Sequence, residues 1–107
     1  MQAGTVISYA EDQGHPRAEI ALSNSDRVLL KLDRDGLAIT RLAGPGRLAQ
    51  VLFQADVNVV SRICAGLYNL ETKPKPAPLR ILVATVVQLG SAEDVRKAFR
   101  EAAVTLQ

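Results

Sequence analysis

The sequence predicts an α+β protein in which an N-terminal antiparallel β-meander of three or four strands packs against C-terminal helices. The first half alternates apolar and polar residues with a period of two, which is typical of half-buried strands. After Gly44-Pro45-Gly46 the apolar residues recur with helical spacing instead. The chain of 107 residues fits one domain, residues 1–107.

The meander is predicted from a hairpin signal. Asp33-Arg34-Asp35-Gly36 lies between two alternating runs, and Asp35-Gly36 is suited to the positive φ angles of a tight turn. In the run before it, Val28, Leu30 and Leu32 point to one face. Residues 19–22 predict the preceding strand, and residues 5–9 predict a fourth. One apolar sheet face results, and only the C-terminal half can cover it.

Residues 47–70 are interpreted as helical, with an apolar arc too wide for one contact. An arc of this width predicts a helix that packs against the sheet on one side and against another helix or a second copy on the other. The apolar residues at helical spacing are Leu48, Val51, Leu52, Ala55, Val59, Ile63 and Leu67.

Asp56 falls in the middle of that arc, where an unpaired carboxylate is costly. Three interpretations remain open. The helix breaks near Ala55, and Asp56 caps a second helix over residues 57–70. Alternatively, Asp56 forms an ion pair with Arg80 or Arg62, within the fold or across a dimer. In the third, it belongs to a functional site with Asn58 or Arg80.

The segment 79–89 is predicted to be either a helix or a buried strand. Its β-branched residues favour a strand. Pro78, Gly90 and a polar stripe of Arg80, Ala84 and Gln88 favour a helix, and the helix is preferred. The last helix is predicted to begin after Ser91 as its N-cap.

Charge and cysteine content limit the classes of function. The net charge is +2, with −1 over residues 1–46 and +3 over residues 47–107, which is weak for a nucleic-acid-binding domain. Cys64 is the only cysteine, which favours a reducing compartment. The N-terminal residues lack a secretory signal and no apolar run is long enough for a membrane span, so the expected location is the cytoplasm, without membrane association.

No catalytic, metal-binding or nucleotide-binding motif is present in the sequence, so we expect no enzyme activity and no cofactor. His15 is the only histidine, and a metal site needs several converging ligands. We predict a protein–protein interaction or assembly module that acts as a homodimer or binds another protein, with Asp56 and Arg80 as interface candidates. The alternative is a small regulatory nucleic-acid-binding module, and the third is a small-molecule site near Asp56. The basic contact surface of the nucleic-acid-binding alternative comprises Lys73, Lys75, Arg96, Lys97 and Arg100.

Overall fold

The computed structural model describes residues 4–11, 16–44, 46, 48–68 and 76–105. Five antiparallel strands form one sheet in the order β1-β2-β3-β4-β5. Three helices follow in the chain, so the α+β prediction is confirmed. The strands are β1 (Thr5–Ala10), β2 (Arg17–Ala21), β3 (Arg27–Asp33), β4 (Gly36–Arg41) and β5 (Gln50–Ala55). The helices are α1 (Val57–Leu67), α2 (Pro78–Leu89) and α3 (Ala92–Thr105).

The three helices cover one face of the sheet. Helix α2 contacts β2, α1 contacts β4 and β5, and α3 contacts β5. The alternation predicted for β3 and β4 is present, since Val28, Leu30 and Ile39 are fully buried on the helix side. The Phe53 and Phe99 rings join β5 to α3 with centroids 5.6 Å apart. In the described ranges, the other face of the sheet carries no helix.

The interpretation of residues 50–55 as helix is wrong, because they form the edge strand β5. The register of β5 against β4 shifts between Ile39 and Thr40, which pair with Phe53 and Val51. Leu52 is therefore an extra residue on β5, and both Leu52 and Phe53 are buried. A bulge of this kind breaks the period-two pattern that would have identified a strand. Strand β5 raises the number of strands from the predicted three or four to five.

The segment 79–89 belongs to helix α2, which begins with Pro78 at its first turn and ends at Gly90 in the left-handed conformation. The buried strand is therefore the wrong alternative. The β-branched residues of this segment are accommodated because Val83 and Val86 point into the core.

A turn between β2 and β3 ties the sheet to the junction of α2 and α3. The backbone N–H of Asn24 and the hydroxyl of Ser23 both donate to the Gly90 carbonyl, at 3.2 and 3.1 Å. Asp26 Oδ2 accepts from the Ala92 N–H at 3.1 Å, and its Oδ1 accepts from Arg41 at 2.6 Å. Asp26 thus satisfies a backbone donor at the start of α3 that the helix itself cannot satisfy.

The pKa of Asp26 is lowered by this network. Burial alone would raise it, but the hydrogen bonds from Ala92 and Asn24 and the charge of Arg41 stabilise the ionised form more strongly. The side chain of Asp26 is only 12% exposed, so these interactions are partly shielded from solvent.

The turn between β3 and β4 depends on Gly36. Its φ is +131°, whereas Asp35, which we expected to share the left-handed conformation, does not have a positive φ. Asp33 Oδ1 accepts from the backbone N–H groups of Asp35 and Gly36. A Cβ at position 36 would lie 1.9 Å from the Ala55 carbonyl oxygen, so the strand ends meet here only because residue 36 has no side chain.

Gly36→Ala should therefore lower the free energy of unfolding strongly. The positive φ alone costs about 1–3 kcal/mol for a residue with a side chain, and the contact with Ala55 adds to it. Gly66→Ala is the matched control, because a Cβ there meets nothing within 4 Å. Because Gly66 is helical, we expect Gly66→Ala to raise the free energy of unfolding by up to about 1 kcal/mol. Urea unfolding of both variants measures the difference, and equal stabilities would contradict the close approach at Gly36.

Asp26→Ala should destabilise the protein by about 1.5–3 kcal/mol at neutral pH. Because the folded-state pKa is below the unfolded value of about 3.9, the stabilisation by the ionised group is present above that value. It is lost as the pH falls through the folded-state pKa, so the variant and the wild type should converge in acid. Ser91→Ala removes an uncharged cap from the same helix, where Ser91 Oγ accepts from the Asp94 N–H. Its destabilising effect, about 1 kcal/mol, should be the same at neutral and at acidic pH in thermal or urea unfolding.

Candidate functional site

Asp56 lies at the N-terminus of α1 as its N-cap. Its Oδ1 accepts from the Val59 N–H at 3.0 Å, and its backbone is extended. The residue is exposed, so the expectation that it lies within an apolar arc is wrong. That arc assumed one continuous helix, whereas the chain changes from strand to helix at this residue. The structure has the first of the three arrangements proposed for Asp56, although α1 ends at Leu67 rather than at residue 70.

The surroundings of Asp56 form an open depression of about 470 Å³ at one end of the sheet. Asp33, Asp35 and Lys31 also line it. The Asp33 carboxylate already accepts backbone hydrogen bonds in the β3–β4 turn. In the part of the chain that the structure describes, no group of three His, Cys, Asp or Glu side chains could hold a metal ion. The geometry at Asp56 is that of a solvated helix cap.

The basic residues of α3 that were predicted as part of a contact surface lie among acidic side chains. Lys73 and Lys75 lie outside the described residues, as does His15. Lys97 and Arg100 are exposed on α3, and Arg96 pairs with Glu93 at 3.3 Å. Acidic residues are interspersed on the same helix, which therefore has alternating rather than uniformly positive charge. They are Glu93, Asp94 and Glu101.

Arg80 lies on α2 and pairs with Glu11, not with Asp56. The distance from Arg80 Nε to Glu11 Oε2 is 3.4 Å. The guanidinium also lies over the Tyr9 ring, 5.6 Å from its centroid. Tyr9 completes the cluster by donating its hydroxyl to Glu11 Oε1 at 2.5 Å. Burial and the adjacent Glu11 carboxylate raise the pKa of Tyr9 to about 12, against a smaller opposing effect of Arg80.

This cluster lies at one end of a groove of about 580 Å³ between the edge strand β1 and helix α2. Val6 and Tyr9 line the β1 side, and they pair with the buried residues Ile20 and Ala18 of β2. Val6 and Tyr9 nevertheless remain 40% and 36% exposed, because α2 packs mainly on β2 and covers β1 only in part. The α2 side is lined by Arg80, Val83, Ala84, Val87 and Gln88.

A second groove, of about 460 Å³, runs along the opposite side of α2. Leu67 and Tyr68, at the end of α1, line it together with Ile81 and Thr85 of α2. The predicted polar stripe of α2 separates the two grooves and borders both. It consists of Arg80, Ala84 and Gln88.

We call the two grooves and the stripe between them the β1–α2 surface. Its described residues include two tyrosines and exposed aliphatic side chains, while its ion pair, Arg80 with Glu11, lies at one end. Sequence reasoning identified Arg80 but missed Val6 and Tyr9. Their signal was the short apolar run at residues 5–9, which identified a strand but not that this strand would be an uncovered edge.

Comparison with protein-family models, curated proteins and solved structures gave no match. None of the helices in the described ranges is long and apolar enough to cross a bilayer. The candidate site is therefore defined by its own geometry alone.

Asp56→Ala should lower the free energy of unfolding by about 0.5–2 kcal/mol, because the Val59 N–H loses its acceptor. Asp56→Asn should be close to neutral, because asparagine caps helices as well as aspartate does. Urea unfolding of both variants tests this role. A large loss with Asn would show that the negative charge matters and would contradict a simple cap.

Proposed function

We propose that the protein is an interaction and assembly module that acts as a homodimer through the β1–α2 surface. The observation that supports the proposal is the exposure of Val6 and Tyr9 beside the weakly charged stripe of α2. Apolar side chains at an uncovered sheet edge favour association with another chain.

The apolar arc of residues 47–70, which first indicated a dimer, no longer supports it. Leu52 and Phe53 enter the core from β5, while Val60, Ile63 and Cys64 enter it from α1. Strand and helix thus bury these residues in one core, and the continuous apolar helix face that the sequence predicted over residues 47–70 does not exist. The argument for association now depends on β1 and α2.

The composition of the β1–α2 surface matches that of protein interfaces. Tyrosine and arginine are enriched where binding energy concentrates, and charged residues are depleted at interface centres. Tyr9 and Tyr68 lie on either side of α2, and the Glu11–Arg80 pair lies at one end. Such an arrangement provides an apolar centre with charge at the rim.

The proposal includes binding rather than catalysis, and residence in the cytoplasm. The single buried cysteine, Cys64, is compatible with a reducing compartment. Nucleic-acid binding is the less favoured function, since acidic residues alternate with basic ones on α3.

Light scattering at micromolar concentration tests the proposal, with an expected mass twice that of the 11.5 kDa chain. Val6→Lys should reduce the mass to that of one chain, because a charge would be buried at the interface without a partner. Val51→Lys is the matched control on the other edge strand, where Val51 is 52% exposed. It should leave the dimer intact.

Circular dichroism and thermal unfolding establish that both variants are folded. A wild-type protein with the mass of one chain at micromolar concentration would overturn the homodimer. Dissociation by Val51→Lys but not by Val6→Lys would place the interface at β5 instead.

A further inference from the structure

We infer that two copies of the chain join edge to edge, with β1 pairing antiparallel to β1 of the second copy and the two α2 helices lying side by side. This inference depends on the proposed homodimer and specifies its geometry. Pairing about a two-fold axis perpendicular to the sheet would produce one ten-stranded sheet with all helices on the same face. Such an interface is closed and uses the same surface on both copies.

The bulge in β1 makes a self-complementary register available. In a regular strand, residues 6 and 9 would point to opposite faces. The register of β1 against β2 shifts between Val6 and Ser8, so Val6 and Tyr9 both face the helices. An antiparallel register that places Val6 opposite Tyr9 of the second copy therefore brings apolar side chains together twice. Aromatic and β-branched residues form favourable cross-strand pairs.

Strand β1 and helix α2 lie side by side along the same length, so one two-fold axis can pass near the centres of both elements. At one end, the Gly4 N–H donates to the Val87 carbonyl at 2.9 Å. At the other end, Tyr9 lies under Arg80. The strand and the helix thus run in opposite directions, and the middle of β1 lies beside the middle of α2.

The charges are compatible with the same axis. β1 contains no charged residue. With Ala84 at the axis, the spacing of the α2 stripe places Arg80 opposite Gln88 of the second copy rather than opposite another arginine. No like charges meet along the strand or the helix.

The distances between strands and between helices in the proposed dimer account for the groove between β1 and α2. With two β1 strands between them, the β2 strands of the two copies would be about 14 Å apart, at about 4.8 Å per strand. Packed helices lie only about 8–10 Å apart. Since α2 contacts β2, the space between the two α2 helices exceeds direct packing by roughly 5 Å. Val6 and Tyr9 from both copies line that space and would fill it.

An interface as large as a stable dimer needs must include both β1 and α2. About 800 Å² per partner is typical, against a total accessible surface of 6986 Å² for this chain. A strand edge of six residues alone supplies much less, so the α2 stripe must contribute. The opposite edge strand, β5, has Val51 as its one exposed large apolar residue.

Ala84→Glu tests the arrangement of the two α2 helices, because it places two carboxylates in the space between them, near the axis. It should convert the dimer to the mass of one chain in light scattering. Ala65→Glu makes the same change at an exposed helical alanine of α1, outside both grooves, and should leave the mass unchanged.

Ser8→Cys tests the strand pairing directly. Ser8 faces away from the helices near the proposed axis, so its Cα would lie within the 4.4–6.8 Å that a disulfide usually spans. Mild oxidation with oxidised glutathione should give a disulfide-linked dimer on a non-reducing gel. Gln54→Cys, exposed on β5, is the control and should stay unlinked, as should the wild type with its buried Cys64.

The outcomes separate the two proposals. A wild-type monomer overturns both the homodimer and its geometry. A wild-type dimer in which Ser8→Cys does not cross-link overturns edge pairing. A wild-type dimer in which Ala84→Glu keeps the dimer mass overturns the side-by-side placement of the α2 helices. Both results leave the homodimer standing. Cross-linking through Gln54→Cys with none through Ser8→Cys would move the pairing to β5.

Discussion

The Asp26 carboxylate holds together three parts of the chain that are distant in sequence. It accepts from the first backbone N–H of α3 and from Arg41 at the end of β4, and it belongs to the turn between β2 and β3. Beside it, the same turn donates two hydrogen bonds to the Gly90 carbonyl, at the junction of α2 and α3. The positions of both helices over the sheet therefore depend on this one turn, since a partly buried carboxylate needs its hydrogen-bond partners in place.

The exposure of β1 follows from that anchoring. Because the end of α2 is hydrogen-bonded to the β2–β3 turn, the helix packs over β2 and does not fully cover the edge strand β1. Three helices then cover the inner face of four strands, and the inner side chains of β1 remain accessible to solvent. An uncharged edge strand with apolar side chains is usually protected by a charge, a proline or a covering element. Here β1 itself carries no charge, and the charged pair of Glu11 and Arg80 lies at one end only.

Local chemistry made part of this fold predictable. The β3–β4 hairpin follows from the turn around Gly36, and α3 follows from its Ser91 cap, because both signals lie within a few residues of the structure they determine. Strand β5 was missed because its identity depends on pairing with β4, and the bulge at Leu52 removed the alternation that would have indicated it. The interactions of Asp26 span up to 66 residues of sequence, and no local pattern encodes them.

The same distinction applies to the candidate site. The stripe of Arg80, Ala84 and Gln88 could be predicted, since it depends only on helical spacing. Its neighbours could not, because whether an apolar residue is covered depends on where other elements pack. Much of the long apolar segment that indicated a second partner became core, since β5 and α1 converge from it on the same interior. The short apolar run in β1 became surface, because the anchored helix leaves it open. Apolar content alone therefore did not indicate the proposed interface, which is argued from the exposure of Val6 and Tyr9.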